Sequence, residues 1–175
     1  MSEDHASKSR YGIWLPGSDE LDIGHFSRLF DNKSESYKLF WFQAIIRKVN
    51  EGRTELSFDE LINDMICDAW YMVTEYHLNL GPSDAIERVV KYINEKEKIS
   101  PTEKKEKILA YLDNTDDKQV RFYKKKLIEK VPYRLQAPFL EGGEHFWNGG
   151  THAVAERINQ QPHLIYYFED ILTNW

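Results

Sequence analysis

The chain predicts a mainly α fold: a compact domain of five or more helices with a short extended or irregular C-terminal part. Three observations predict it. Apolar residues recur at helical spacing through five successive segments. Serine, asparagine or aspartate stands before most of these segments, where helices are capped. Glycine and proline fall mainly between them. Hydrophobic residues make up 41% of the 175 and aromatic residues 14%, enough to bury a sizeable core.

Residues 1–20 are rich in Ser, Asp, Glu and Gly and predict a flexible N-terminal arm. Its one apolar island, Tyr11, Ile13, Trp14 and Leu15, is able to dock on the body. A helical domain is expected over 21–132. Its first helix runs approximately from Ser36 to Asn50, apolar nearly all round and therefore central, and Glu51-Gly52 ends it. Ser57-Phe58-Asp59-Glu60 reads as a capping box. The helix after it carries Phe58, Leu61, Ile62, Met65, Ile66, Ala69, Trp70 and Val73 without a break. Gly81-Pro82-Ser83 starts a third, with Ile86, Val89, Val90 and Ile93 on one stripe.

Ser100-Pro101-Thr102-Glu103 reads as a second capping box, opening a helix that buries Ile108, Leu109 and Leu112. Asn114-Thr115-Asp116-Asp117 marks the next start, with Val120, Tyr123, Leu127, Ile128 and Val131 inward, and Pro132 is expected to close that helix. Residues 133–175 are expected to pack on the helical domain as an extended stretch (Tyr133–Leu140), a glycine-rich loop and a C-terminal segment. A short helix is expected over His152 to Asn159; the apolar run Leu164 to Leu172 is too short to assign.

Several short blocks carry a likeness to a known family: Ser27-Arg28-Leu29-Phe30-Asp31-Asn32, Ser36-Tyr37-Lys38, Trp41-Phe42, Ala69-Trp70-Tyr71, Val131-Pro132-Tyr133-Arg134 and Ile171-Leu172-Thr173-Asn174-Trp175. Together they resemble the N-terminal half of bacterial HNH endonuclease domain-containing proteins. The resemblance implies an accessory role beside a nuclease whose metal-binding ββα hairpin would lie beyond Trp175. None of the six histidines stands in that motif, so no catalytic residue is carried over. A divalent metal is implied only for such a separate HNH domain, and whether the chain takes part in an enzyme is left open.

Charge carries the most specific local signal. The chain has a net charge of −6, which argues against a protein that is basic throughout. Between Lys118 and Arg134, however, Lys118, Arg121, Lys124, Lys125, Lys126, Lys130 and Arg134 face one acid, Glu129. That segment carries +6, so the remainder carries −12. Such a stripe can replace the counterions of nucleic-acid phosphates, or it can be a solvated helix face. Arg121, Lys124, Lys125, Lys126, Lys130 and Arg134 are the candidate DNA-binding residues, and DNA the candidate ligand. Phe146 and Trp147, flanked by glycines, can stack on bases or pack against the body.

The other constellations are weaker. Glu141, Glu144, His145, His152 and Glu156 have metal-ligand chemistry, but solvated polar residues are the simpler reading. Asp59, Glu60 and Asp64 place carboxylates on one helix, with Glu60 already explained by capping. The lone cysteine, Cys67, lies in an apolar run and reads as an inert core thiol; it allows no intrachain disulfide. No phosphate-loop, dinucleotide or nucleophile-elbow motif is present. The polar start and the lack of an apolar run of about 20 residues predict a soluble cytoplasmic protein without membrane contact. A competing reading is a protein-interaction or scaffold module, using Trp14, Phe146-Trp147 and the apolar run to Trp175 against a missing domain or partner.

Overall fold

The computed structural model describes residues 18–31, 36–140 and 146–169, with the backbone of two short strands, β1 (Ser7–Lys8) and β2 (Trp14–Leu15), paired antiparallel. The fold is mainly α. Its helices are α1 (Ile23–Phe26), α2 (Tyr37–Asn50), α3 (Phe58–Thr74), α4 (Ala85–Glu97), α5 (Lys105–Asn114), α6 (Lys118–Ile128), α7 (Val131–Leu135) and α8 (Thr151–Asn159), with a 3-10 turn at Ala137–Phe139. Two compact units divide the chain: residues 33–132, and residues 1–32 with 133–175. Among the described residues no helix is long and apolar enough to cross a membrane.

In the 33–132 unit α3 is the central element, packing against α2, α4, α5 and α6. Its stripe Leu61, Ile62, Met65, Ile66, Ala69, Trp70 and Val73 is buried, as is the α4 stripe Ile86, Val89, Val90 and Ile93. Each large apolar side chain so removed from water contributes about 1.5–3 kcal/mol. Helix ends follow local chemistry. Ser57 Oγ accepts the Glu60 N–H at 3.2 Å and starts α3. Gly52, at φ +82°, ends α2: its N–H donates to Val49 O and that of Arg53 to Lys48 O, a Schellman closure. Asp84 joins two helix starts. One carboxylate oxygen accepts the Ile86 and Glu87 amides of α4, while the other accepts the Ser36 hydroxyl at 2.8 Å.

The other unit holds its segments through side-chain amides. Gln136, fully buried, donates to Tyr166 O and accepts the Ile165 N–H at 3.2 Å. Asn159 receives the Phe168 N–H at 2.9 Å and donates to Phe168 O at 2.6 Å. The apolar run from Leu164 is neither helix nor strand as far as residue 169; it is held by these amides, with Leu164 and Phe168 buried, and its last residues, 170–172, lie outside the described residues.

Four local expectations are corrected. Residues 133–135 are helical rather than extended, and Ala137–Phe139 forms a 3-10 turn, because Pro132 occupies the first turn of α7, where an amide hydrogen is not needed. α6 already ends at Ile128, so Pro132 opens a helix instead of closing one. The second capping box does not form. Ser100 Oγ accepts the Thr102 amide within a turn, its carbonyl accepts the Trp70 indole N–H at 3.0 Å, and α5 begins only at Lys105. At the first box Glu60 turns away from Ser57 to bind Arg53 at 2.7 Å and Lys48 at 3.1 Å.

Candidate nucleic-acid interface

The basic segment becomes α6 because Asp117 caps it, accepting the Gln119 and Val120 amides at 2.7 and 3.0 Å. The same carboxylate, 8% exposed, accepts the Tyr92 hydroxyl at 3.0 Å and the Lys96 ammonium, tying α6 to α4. Hydrogen bonding to Lys96, then to the Val120 amide, holds the Asp117 carboxyl well below the usual carboxylate range. The cap is therefore ionised at neutral pH.

Once formed, α6 sorts its cations by helical phase. Val120, Leu127 and Ile128 face inward, and Lys124 shares that side: it is 8% exposed, with its ammonium 2.5 Å from Asp59. Lys124 therefore drops out of the candidate interface. Lys118, Arg121, Phe122, Lys125 and Lys126 are exposed along the opposite side, and Lys130 follows in the next turn. Arg121 pairs with exposed Asp116, and Lys126 lies 3.5 Å from Glu129. Among the described residues, Lys118, Lys125 and Lys130 have no carboxylate within ion-pairing distance, and neither does Arg88 of α4. Arg134 belongs to the other unit, where its guanidinium lies over the Trp147 ring at 4.2 Å.

Beside this face an open cleft of about 240 Å³ is lined by Tyr37, Arg88, Phe122, Tyr123, Lys126 and Lys130, among others. Arg88 and Phe122 escaped the sequence reading. Their signal was phase: Arg88 falls off the Ile86–Ile93 stripe, and Phe122 falls off the Val120–Leu127 stripe, where an apolar ring has no core to enter.

The other candidates resolve differently. Phe146 is buried and Trp147 is covered by Arg134, so both pack rather than stand open. The side chain of Trp14 and residues 170–175 lie outside the described residues, as do Glu141, Glu144 and His145. His152 and Glu156 form an exposed pair at 3.5 Å, and no group of three or more His, Cys, Asp or Glu among the described residues is placed to hold a metal ion. Cys67 is half-buried, and burial pushes its thiol up to about 12, which leaves it protonated and unreactive at neutral pH.

The α3 carboxylates are engaged by cations. Asp64, 3% exposed, has Lys105 at 2.5 Å, with Lys48 and Arg47 at 3.3 and 3.5 Å as looser ion contacts. Asp68 takes Arg47 at 2.7 Å. Burial alone would raise the Glu60 carboxyl, but hydrogen bonds from Arg53 and Lys48 outweigh it and bring it below its ordinary value. Glu60 is thus a fixed anion, unsuited to general-acid work. Compared with known proteins, the chain matches no family model, no curated protein and no solved structure.

Proposed function

We propose that the 33–132 unit is an accessory nucleic-acid-engaging domain that contacts phosphates through the outer face of α6. This is the role implied by the resemblance to the N-terminal region of HNH endonucleases; no catalytic step or metal is assigned to residues of this chain. One observation carries the reading. Among the described residues Lys118, Lys125 and Lys130 are exposed with no carboxylate in ion-pairing distance, in a chain whose remainder outside 118–134 carries −12, so the outer face of α6 offers a polyanion a cluster of uncompensated positive charge.

Fluorescence anisotropy of labelled DNA, single- and double-stranded, tests it across salt concentrations. Five cations on α6 and just beyond it (Lys118, Arg121, Lys125, Lys126, Lys130) give a log–log salt slope of about −4.5 on duplex and about −3.5 on single strand, at ~0.9 and ~0.7 per phosphate contact. Charge reversal of Lys125, Lys126 and Lys130 to Glu is expected to abolish binding. No binding of either DNA at low salt refutes the reading. A second reading, a protein-interaction module, draws on the exposed apolar positions Leu39, Ile46 and Val49 of α2. Partner capture through them would survive the charge reversal.

A further inference from the structure

We propose that the cleft beside α6 is a single-nucleotide pocket that makes this domain prefer single-stranded nucleic acid to duplex. The inference rests on the phosphate-contacting role of α6 and adds what that face reads besides charge.

Phe122 is the starting point. It is 49% exposed, and its neighbours on the outer side of α6 are Lys118, Arg121, Lys125 and Lys126. Leaving a phenyl ring half in water forgoes burial energy. Its position is nonetheless defined. The Tyr123 ring meets it edge-on at 5.7 Å, and the Lys126 ammonium lies 5.6 Å from its centroid. Tyr123 is itself half-buried and lies against Tyr92 at 6.4 Å, so the aromatic edge is backed by the body of the unit.

The cleft around this ring supplies the two features a nucleotide requires. Phe122, Tyr123 and Tyr37 provide aromatic surface, while Arg88, Lys126 and Lys130 provide positive charge. Arg88 and Lys130 have no carboxylate partner among the described residues. Lys126 has Glu129 at 3.5 Å, but both side chains are more than a third exposed, so a phosphate displaces that contact at small cost. The nearest acids of α4 are engaged elsewhere: Asp84 caps its helix, and Glu87 binds Lys91 at 2.6 Å and the Leu80 amide at 2.7 Å.

Size narrows the ligand. At about 240 Å³ the cleft is below the ~300 Å³ at which pockets for drug-sized ligands begin, and it suits one base with its sugar. In a duplex the base faces are stacked on one another and cannot reach Phe122. In a single strand each base has a free face, and aromatic stacking accepts any base.

The 175-residue chain is titrated with fluorescein-labelled oligothymidylate and with a duplex of equal length, each at several salt concentrations. Single strand is expected to bind more tightly than duplex. Phe122→Ala is expected to weaken single-strand binding about 10-fold, from loss of one stacked base, while leaving the salt slope unchanged. Phe122→Tyr keeps the ring and is expected to hold wild-type affinity, and Arg88→Gln to reduce the slope by about 1. Duplex bound as tightly as single strand, with Phe122→Ala unchanged, overturns the pocket while leaving the phosphate-contacting face standing. Loss of all salt-dependent binding to both strands overturns that underlying face as well.

Discussion

Arg47, Lys48 and Lys105 are drawn from α2 and α5 onto α3, where they meet Asp64 at 3.5, 3.3 and 2.5 Å. Lys118, Lys125 and Lys130 stand on or just beyond α6 with no carboxylate in reach among the described residues. The two sets have the same chemistry and opposite situations. In the first, each cation answers an anion that burial would otherwise penalise, so its removal is felt as stability. In the second, the charge is solvated and uncompensated, so its removal is felt as a change in the external field. A count of basic residues therefore says little until each one's anion is known.

The buried set yields the largest effect. Asp64→Ala leaves three cations facing a neutral, largely buried position and is expected to cost about 3 kcal/mol. Urea unfolding followed by circular dichroism measures this, and binding of oligothymidylate per folded molecule should stay unchanged. Loss of binding at full folding would mean that the two sets are not separate.

Asp117 joins the comparison from the α6 side, since its charge serves the helix start. Asp117→Asn keeps a capping oxygen, since asparagine caps as well as aspartate, and is expected to cost about 1–2 kcal/mol through Lys96 and Tyr92 left without their acceptor. Its pH signature has a definite sign. The folded carboxyl is held below its unfolded value, so its stabilisation is complete above about pH 4 and is lost as the pH falls toward the folded value. Acid unfolding of the Asn variant, followed between roughly pH 4 and pH 2, should fall less steeply than that of the wild type. An identical acid limb would remove Asp117 from the account.

Much of this was legible in the sequence because periodicity and caps are local. The stripes of α3 and α4, the Ser57 cap and the Gly52 stop follow from residues within a few positions of one another. What escaped depends on distant partners. The Ser100 box is a sound local signal, but the Trp70 indole from α3 takes the Ser100 carbonyl and the helix starts later. Pro132 was ambiguous because proline both ends helices and suits their first turn. The basic run showed its charge plainly, while the division into free and engaged cations required knowing that Asp59 lies across from Lys124.

That division is sharpest at two adjacent residues, which also give the smallest effect. Lys124 and Lys125 are neighbours in the chain, 100° apart around the helix. Lys124 lies four residues after Val120 and three before Leu127, on the buried stripe, whereas Lys125 lies on the outer face with no acid in reach. Lys124→Ala removes the Asp59 contact and buried methylenes. It is expected to cost about 1–2 kcal/mol, between an exposed and a buried pair, with the salt slope unchanged. Lys125→Ala should leave stability within about 0.5 kcal/mol and make the slope shallower by about 1. Thermal melts and salt titrations of the two variants side by side decide the matter: equal slopes would show that the phosphate contacts are not on the outer face of α6, whereas the crossed pattern would assign stability and binding to two consecutive lysines.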